Sequence, residues 1–366
     1  MADVSRNPFT PGFGQVPLYM AGREHIVRDI VTALDGQPGD PYLTSIFIGA
    51  RGTGKTALMA LIANEAAGKG WIDARVSSIP GMLEDILLQA RRRAGHLLSV
   101  PQGHLTSIGI GGVASLGWDS ADTPATNWRL QIDELLDELE EHGAGLLITV
   151  DEVRSDFDEM IQLASVYQHL VSEGRRVALL MAGLPFHMSR VINDKSISFL
   201  RRATRFDLGR IEDADIRDAF ERTVIEAGRS IDDESLTVAT QAIEGFPFMM
   251  QLVGYHVWAQ SPTSPVISTE AAAAGIERAQ REMVTRILEP TYLELSSGDL
   301  NFLGAMLEDD DTSSVSDIAQ RMNVSSGYVA QYRRRLMEQG VIEQRARGIV
   351  GFALPGMRPF LEDKLA

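Results

Sequence analysis

The chain has 366 residues, 44% of them hydrophobic and 23% charged, and carries a net charge of −16. That length predicts two or three domains of a globular, soluble kind, and the acidic balance argues against a general nucleic-acid-coating protein while leaving room for a local basic module. There is no cysteine, which excludes disulfides, thiolate metal sites and cysteine nucleophiles and fits a reducing cytosol.

Residues 1–14 have no apolar core, so they do not read as a signal peptide. No apolar run is long enough to span a membrane, and a cytoplasmic location with no membrane partner is expected. Residues 1–19 are rich in Pro, Gly and Phe and read as extended. A helix is predicted through Leu34, with Ile26, Ile30, Val31 and Leu34 on one face. A turn-rich linker, 35–41, precedes the run 44–48, where Ile46 and Ile48 predict a buried strand. Then comes Gly49-Ala50-Arg51-Gly52-Thr53-Gly54-Lys55-Thr56. The Ala-, Leu- and Met-rich run 57–67 predicts a helix after it.

That order is the chemistry of a phosphate-binding loop, G-x-x-x-x-G-K-T between a strand and a helix. The glycines let the backbone turn its N–H groups onto the phosphates, and the helix points its positive end at the same anion. Lys55 supplies a charge, and the Thr56 hydroxyl can ligate Mg²⁺. ATP or ADP with Mg²⁺ is the expected ligand, held chiefly by residues 52–56.

Further on, 71–77 reads as a second strand. Residues 81–98 read as a helix with Arg91, Arg92 and Arg93 near its end, where cations suit the helix dipole. The Gly- and Ser-rich stretch 101–123 reads as an inserted loop or hairpin. An acidic amphipathic helix is predicted over 127–142. Leu146-Leu147-Ile148-Thr149-Val150 is a continuous apolar run, as a central parallel strand should be, and it ends in Asp151-Glu152. Asp151 is placed to hold Mg²⁺, together with Thr56, and Glu152 to orient or deprotonate the attacking water. A helix over 156–171, a fourth strand over 177–182 and a fifth over 205–208 complete the alternation. From Asp213 onward the pattern is helical, with helices expected at 214–227, 234–243, 248–259 and 269–288. The change sets a domain boundary near Gly209.

After Asp309-Asp310-Asp311 the composition shifts again. Helices over 315–322 and 327–339 flank a turn at 323–326, and short strands at 341–343 and 349–353 flank 344–348. Helix, turn, helix and hairpin is the plan of a winged helix. Residues 312–366 hold eight Lys and Arg against five acids, a net +3, so the rest of the chain carries −19. Val329, Tyr332 and Leu336 form the packing face of the second helix. Tyr328, Gln331, Arg334 and Arg335 share another face, and Arg345 and Arg347 fall in the wing turn. A basic module on an acidic body is expected of a DNA reader, and duplex DNA is the predicted partner. A winged helix that docks protein, or only packs, is the alternative.

Taken together, the chain resembles an AAA+ ATPase of the kind found in origin-recognition initiators. The matching parts are Ala21-Gly22-Arg23-Glu24, the P-loop, residues 147–152, the helical run after Gly209 and the C-terminal winged helix. The resemblance implies an α/β fold with a five-stranded parallel P-loop NTPase core (1–208), an all-helical lid (209–289) and a C-terminal winged-helix domain (290–366). It implies that Gly22 and Arg23 lie near the adenine. It also implies that Arg201 and Arg202, between strands four and five, supply an arginine finger to a neighbour, either another copy of the chain or a partner ATPase.

Two places depart from that pattern. Ala182-Gly183-Leu184-Pro185 stands where a polar sensor is usual, and Gly245-Phe246-Pro247-Phe248 stands in the lid where an arginine is usual. The latter is similar to the Gly-x-Pro of signal-transducing STAND ATPases, in which Pro247 would pack near the adenine; a proline simply opening a helix is equally compatible. These departures point to slow turnover and a nucleotide-dependent switch. The alternative reading is a STAND-like signalling or defence ATPase with the winged helix packed internally.

Overall fold

Alternating buried strands and amphipathic helices build the first half of the chain. The computed structural model describes residues 6–12, 14–95, 97, 124–154, 158–260, 262 and 264–365. The glycine-rich stretch 101–123, the end of the helix expected over 81–98, and the start of the one expected at 156 lie outside them. Chain order runs α1 (Glu24–Leu34), β1 (Thr44–Ile48), α2 (Lys55–Ala67), β2 (Trp71–Ser77), α3 (Met82–Ala94), α4 (Pro124–Glu141), β3 (Gly145–Asp151), α5 (Asp158–Ser172), β4 (Val177–Gly183), α6 (Pro185–Asn193) and β5 (Thr204–Asp207).

The five strands form one parallel sheet in the order β2-β3-β4-β1-β5. The apolar run in β3 is continuous because both sheet faces are covered. Leu146, Ile148 and Val150 face the layer of α3, α4 and α5, while Leu147 joins Phe47 and Leu180 against α1 and α2. The register pairs Ser77 with Asp151 and Ile48 with Gly183. The loops after β1, β3 and β4 therefore open at the same, carboxyl, edge of the sheet, where ligands of open α/β sheets bind.

The helix α6 was not foreseen from the sequence. Pro185 is its first residue, where the missing N–H costs nothing, and Met188, Val191 and Ile192 are its buried side.

Beyond the sheet come α7 (Asp213–Glu226), β6 (Ser230–Ile231), α8 (Asp233–Ile243), α9 (Pro247–Gln260), β7 (Val266–Ile267) and α10 (Thr269–Met283). The helix expected over 269–288 passes into a π-helical turn, Val284–Leu288. The remaining elements are α11 (Glu289–Leu293), α12 (Ser297–Met306), β8 (Thr312–Ser314), α13 (Val315–Arg321), α14 (Ser326–Glu338), β9 (Ile342–Ala346), β10 (Ile349–Phe352) and α15 (Met357–Leu365). Strands β8, β10 and β9 make a small antiparallel sheet beside the helix pair α13 and α14. Phe220, Trp258, Leu303 and Leu336 belong to one apolar cluster that runs from α7 through α14.

The N-terminal segment is tied to this helical half. Phe9 is buried, its ring 4.9 Å from that of Phe220. It rests on Gly254 so closely that a Cβ there would come within 2.2 Å of the ring. The Thr10 N–H donates to Gln251 Oε1 at 2.9 Å, and Asn7 Nδ2 donates to the Tyr255 carbonyl at 2.9 Å. Phe9→Ala is expected to lower unfolding stability by about 3 kcal/mol, the usual cost of emptying a buried phenylalanine site. A urea titration checks this, and an unchanged midpoint would show that the anchor contributes nothing.

Candidate functional site

The loop after β1 is shaped by glycines with left-handed backbone, Gly52 at φ 81° and Gly54 at φ 85°. Gly54 precedes α2 without offering a side-chain cap, so the first N–H groups of that helix remain available to an anion. Thr53 Oγ1 donates to the Ala50 carbonyl at 2.9 Å and tightens the turn. Lys55 Nζ donates to the carbonyls of Gly49 at 2.8 Å and Ala50 at 2.7 Å. Burial pushes its pKa down to about 8, against the opposing pull of Asp151 and Glu152, while Arg51 adds to the lowering.

At the end of β3, Asp151 Oδ2 accepts from Thr56 Oγ1 at 2.5 Å, and Asp151 Oδ1 accepts from the Glu152 N–H at 2.8 Å. The two oxygens singled out for Mg²⁺ thus meet at one point beside the P-loop. Hard oxygen donors suit that ion. Among the described residues no group of three His, Cys, Asp or Glu could hold a metal alone. That donor set fits Mg²⁺ carried by a few protein oxygens, substrate phosphates and water, rather than an all-protein cage. Glu152 adopts φ 52°, an uncommon backbone for a residue with a side chain. Such strain concentrates at functional sites.

These groups open into a cavity of about 650 Å³ that also takes in Tyr19, Arg23 and Pro247, a size usual for small-molecule sites. The Gly-Phe-Pro-Phe stretch lies directly on the P-loop. The Phe248 N–H donates to the Gly52 carbonyl at 3.2 Å, and Pro247 stands against Gly54. Arg23 Nη2 donates to the Gly209 carbonyl at 2.6 Å; burial lowers its pKa, with Asp215 opposing. Gly22 lies beside Ile211 and Asp215 rather than in the cavity wall.

Four features of the cavity were not read from the sequence. Thr10, Pro11, Gly12, Gly14 and Gln15 line one side of it, Gln251 faces in from α9, His187 from α6 and Arg286 from the π-helical turn. Arg286 Nη1 donates to the Pro11 carbonyl at 3.3 Å and its Nη2 pairs with Glu282. His187 sits one turn beyond the place where a polar sensor was missed.

Arg201 and Arg202 are exposed, in a short helical turn away from this cavity. Arg201 Nη2 donates weakly to the Asn193 carbonyl, at 3.4 Å.

The six residues expected to face DNA are all exposed, but they differ in their partners. Arg334 stands 3.6 Å from Glu338 one turn on. Arg335 is held at 3.1 Å by Asp299, a fully buried carboxylate of α12. Arg345 is not in the wing turn as expected. Strand β9 runs through Ala346, so Arg345 lies within it and folds back onto Glu343 at 2.8 Å and toward the Phe352 carbonyl at 3.4 Å.

A family model described as a domain of unknown function, DUF8462, matches residues 285–361. No curated protein matches the chain. Among solved structures, the chain is similar to the ORC2 protein of Aeropyrum pernix in its ADPNP–ADP complexes, with TM-score 0.64, 14% identity and 96% of each chain covered. It is also similar to a Walker-type ATPase of Pyrococcus abyssi, with TM-score 0.65, 13% identity and 94% of this chain and 96% of that one covered. Cdc6p of Pyrobaculum aerophilum matches at TM-score 0.50 and 15% identity over 97% of this chain and 98% of that one. At such identities the likeness shows the fold. The chain shares the P-loop α/β fold of these ORC2 and Cdc6p structures, with the five-stranded parallel sheet that the resemblance implied.

Proposed function

We propose that the chain is an AAA+ ATPase that binds MgATP in this cavity, hydrolyses it slowly to ADP and phosphate, and acts as a nucleotide-dependent switch whose winged helix grips duplex DNA. The observation that carries the nucleotide reading is the meeting of Thr56 and Asp151 beside the P-loop, with strained Glu152 next to them. In this reading Lys55 and the N–H groups of 52–56 hold the phosphates. Thr56 and Asp151 would hold Mg²⁺, which supplies charge neutralisation on the phosphate oxygens. Glu152 takes the proton of the attacking water. Arg23 and Pro247 border the nucleoside, and the P-loop backbone at Gly49, Ala50 and Arg51 frames the phosphates. A second copy of the chain, or a partner ATPase, would bring Arg201 or Arg202 to the site as a finger. The working division is a core over 1–208, a lid over 209–289 and a winged helix over 290–366. Among the described residues no helix is long and apolar enough to cross a membrane.

The DNA half rests on the exposed face of Tyr328, Gln331 and Arg334 and on Arg347 at the hairpin tip. A helix of this width fits the major groove, where Gln and Arg read base edges. Duplex affinity should fall steeply with salt, and Arg347→Ala should weaken all sequences alike and flatten the log–log slope by about one unit. Fluorescence anisotropy at several salt concentrations, with and without MgATP, measures both. Failure of the chain to bind any duplex at low salt would favour the second reading, a STAND-like signalling ATPase. Two observations support that alternative: α14 packs on α6 of the core, and Arg335 and Arg345 are engaged internally.

A further inference from the structure

The C-terminal unit is seated on the phosphate loop itself. Gly340, just after α14, lies so close to the P-loop that a Cβ there would come within 2.7 Å of the Ala50 Cβ. Its backbone is left-handed, at φ 71°, so glycine serves both the helix stop and the close approach. The next P-loop residue is held too. Arg51 Nη1 reaches both carboxylate oxygens of Glu294, at 3.1 and 3.2 Å. A third tie lies between β5 and α7, where Arg210 Nε stands 3.2 Å from Glu343 and its Nη2 donates to the Phe352 carbonyl at 3.1 Å.

Arg51 also borders the nucleotide cavity. It therefore has two anionic partners within its range, one the Glu294 carboxylate and the other whatever phosphate the loop binds. A guanidinium fork matches either anion, but the same N–H groups cannot satisfy both at once. Ala50 is under a related demand, since its carbonyl, like that of Gly49, accepts from Lys55 Nζ. A phosphate in the loop competes for that same ammonium and so bears on the backbone that carries the Gly340 contact.

We propose that Glu294 and the phosphates of a bound nucleotide compete for Arg51, so that nucleotide binding loosens the seat of the C-terminal unit on the P-loop. This rests on the nucleotide reading above. By linkage the effect is reciprocal, so weakening the seat strengthens the nucleotide.

The test uses the full chain. Glu294→Gln removes the charge from an exposed residue and leaves its shape. It should tighten MgATP two- to five-fold by calorimetry, the scale of one exposed ion pair. In an Arg51→Ala background the same change should do nothing. The absence of cysteine allows Glu65→Cys on α2 and Gln344→Cys on β9, both exposed, to carry the only two labels. The distance between them should lengthen with MgATP in the wild type and be longer from the start in Glu294→Gln. Unchanged or weaker MgATP affinity in Glu294→Gln would overturn the competition, as would a label distance indifferent to MgATP while binding is measurable. A wild type that binds no MgATP would remove the proposed function itself, and the competition with it.

Discussion

Lys55→Ala is expected to abolish measurable MgATP binding in calorimetry while the chain remains folded by circular dichroism. The side chain is the one full positive charge enclosed by the loop, and it already donates to the Gly49 and Ala50 carbonyls. Removing it leaves the helix N-terminus, the backbone N–H groups and an Arg51 shared with Glu294 to face several negative charges. The lysine has a second consequence. With its pKa pushed down to about 8 by burial, the ammonium is intact below that value and is lost as pH rises through it. Affinity for MgATP should therefore fall between about pH 7 and about pH 9.5, with proton uptake on binding in the upper part of that range. Calorimetry in buffers of different ionisation enthalpy reads the uptake. In Lys55→Arg, which stays charged, the pH dependence should vanish even if affinity drops.

What was legible in the sequence is what lies close together in it. The P-loop is a contiguous run between a strand and a helix, and Asp151-Glu152 ends an apolar run whose only good home is a central strand. The five-stranded parallel sheet then follows from the resemblance, and the structure has it. What was not legible depends on partners far apart in the chain. Phe9 and Gly254 have no local signal that joins them, so the segment from Thr10 to Gln15 read as merely extended. Arg335 looked free on a helix face because Asp299, its buried partner, belongs to another helix. Arg345 was assigned to a turn because a strand boundary fell three residues further along than alternation suggested. No helix was read after Gly183-Leu184-Pro185, where Pro185 opens α6, and that hid His187. Arg286 was hidden for a different reason. It lies in a regular helical pattern, and only the π-helical turn brings it to the cavity wall.

Glu152→Gln is the change expected to separate chemistry from binding. The residue follows the last residue of β3 directly, and its own N–H is already bound to Asp151 Oδ1. The backbone at φ 52° turns the chain sharply there. A non-glycine residue holds that conformation only when its surroundings impose it, at a cost of order 1–3 kcal/mol. The side chain is exposed, beside the Thr56–Asp151 contact and bordering the cavity. A carboxylate so placed can take a proton from water next to the transferred phosphoryl group; an amide of the same shape cannot. Turnover measured by phosphate release should fall by about 10²–10⁴-fold, with MgATP affinity within a factor of about two of wild type. Asp151→Ala should behave differently, losing the Thr56 contact and weakening both catalysis and the dependence on Mg²⁺ concentration. Equal turnover in wild type and Glu152→Gln would remove Glu152 from the reaction and leave its strained backbone to be explained by the path of the chain into Val153, whose N–H donates to the Ala182 carbonyl at 2.9 Å.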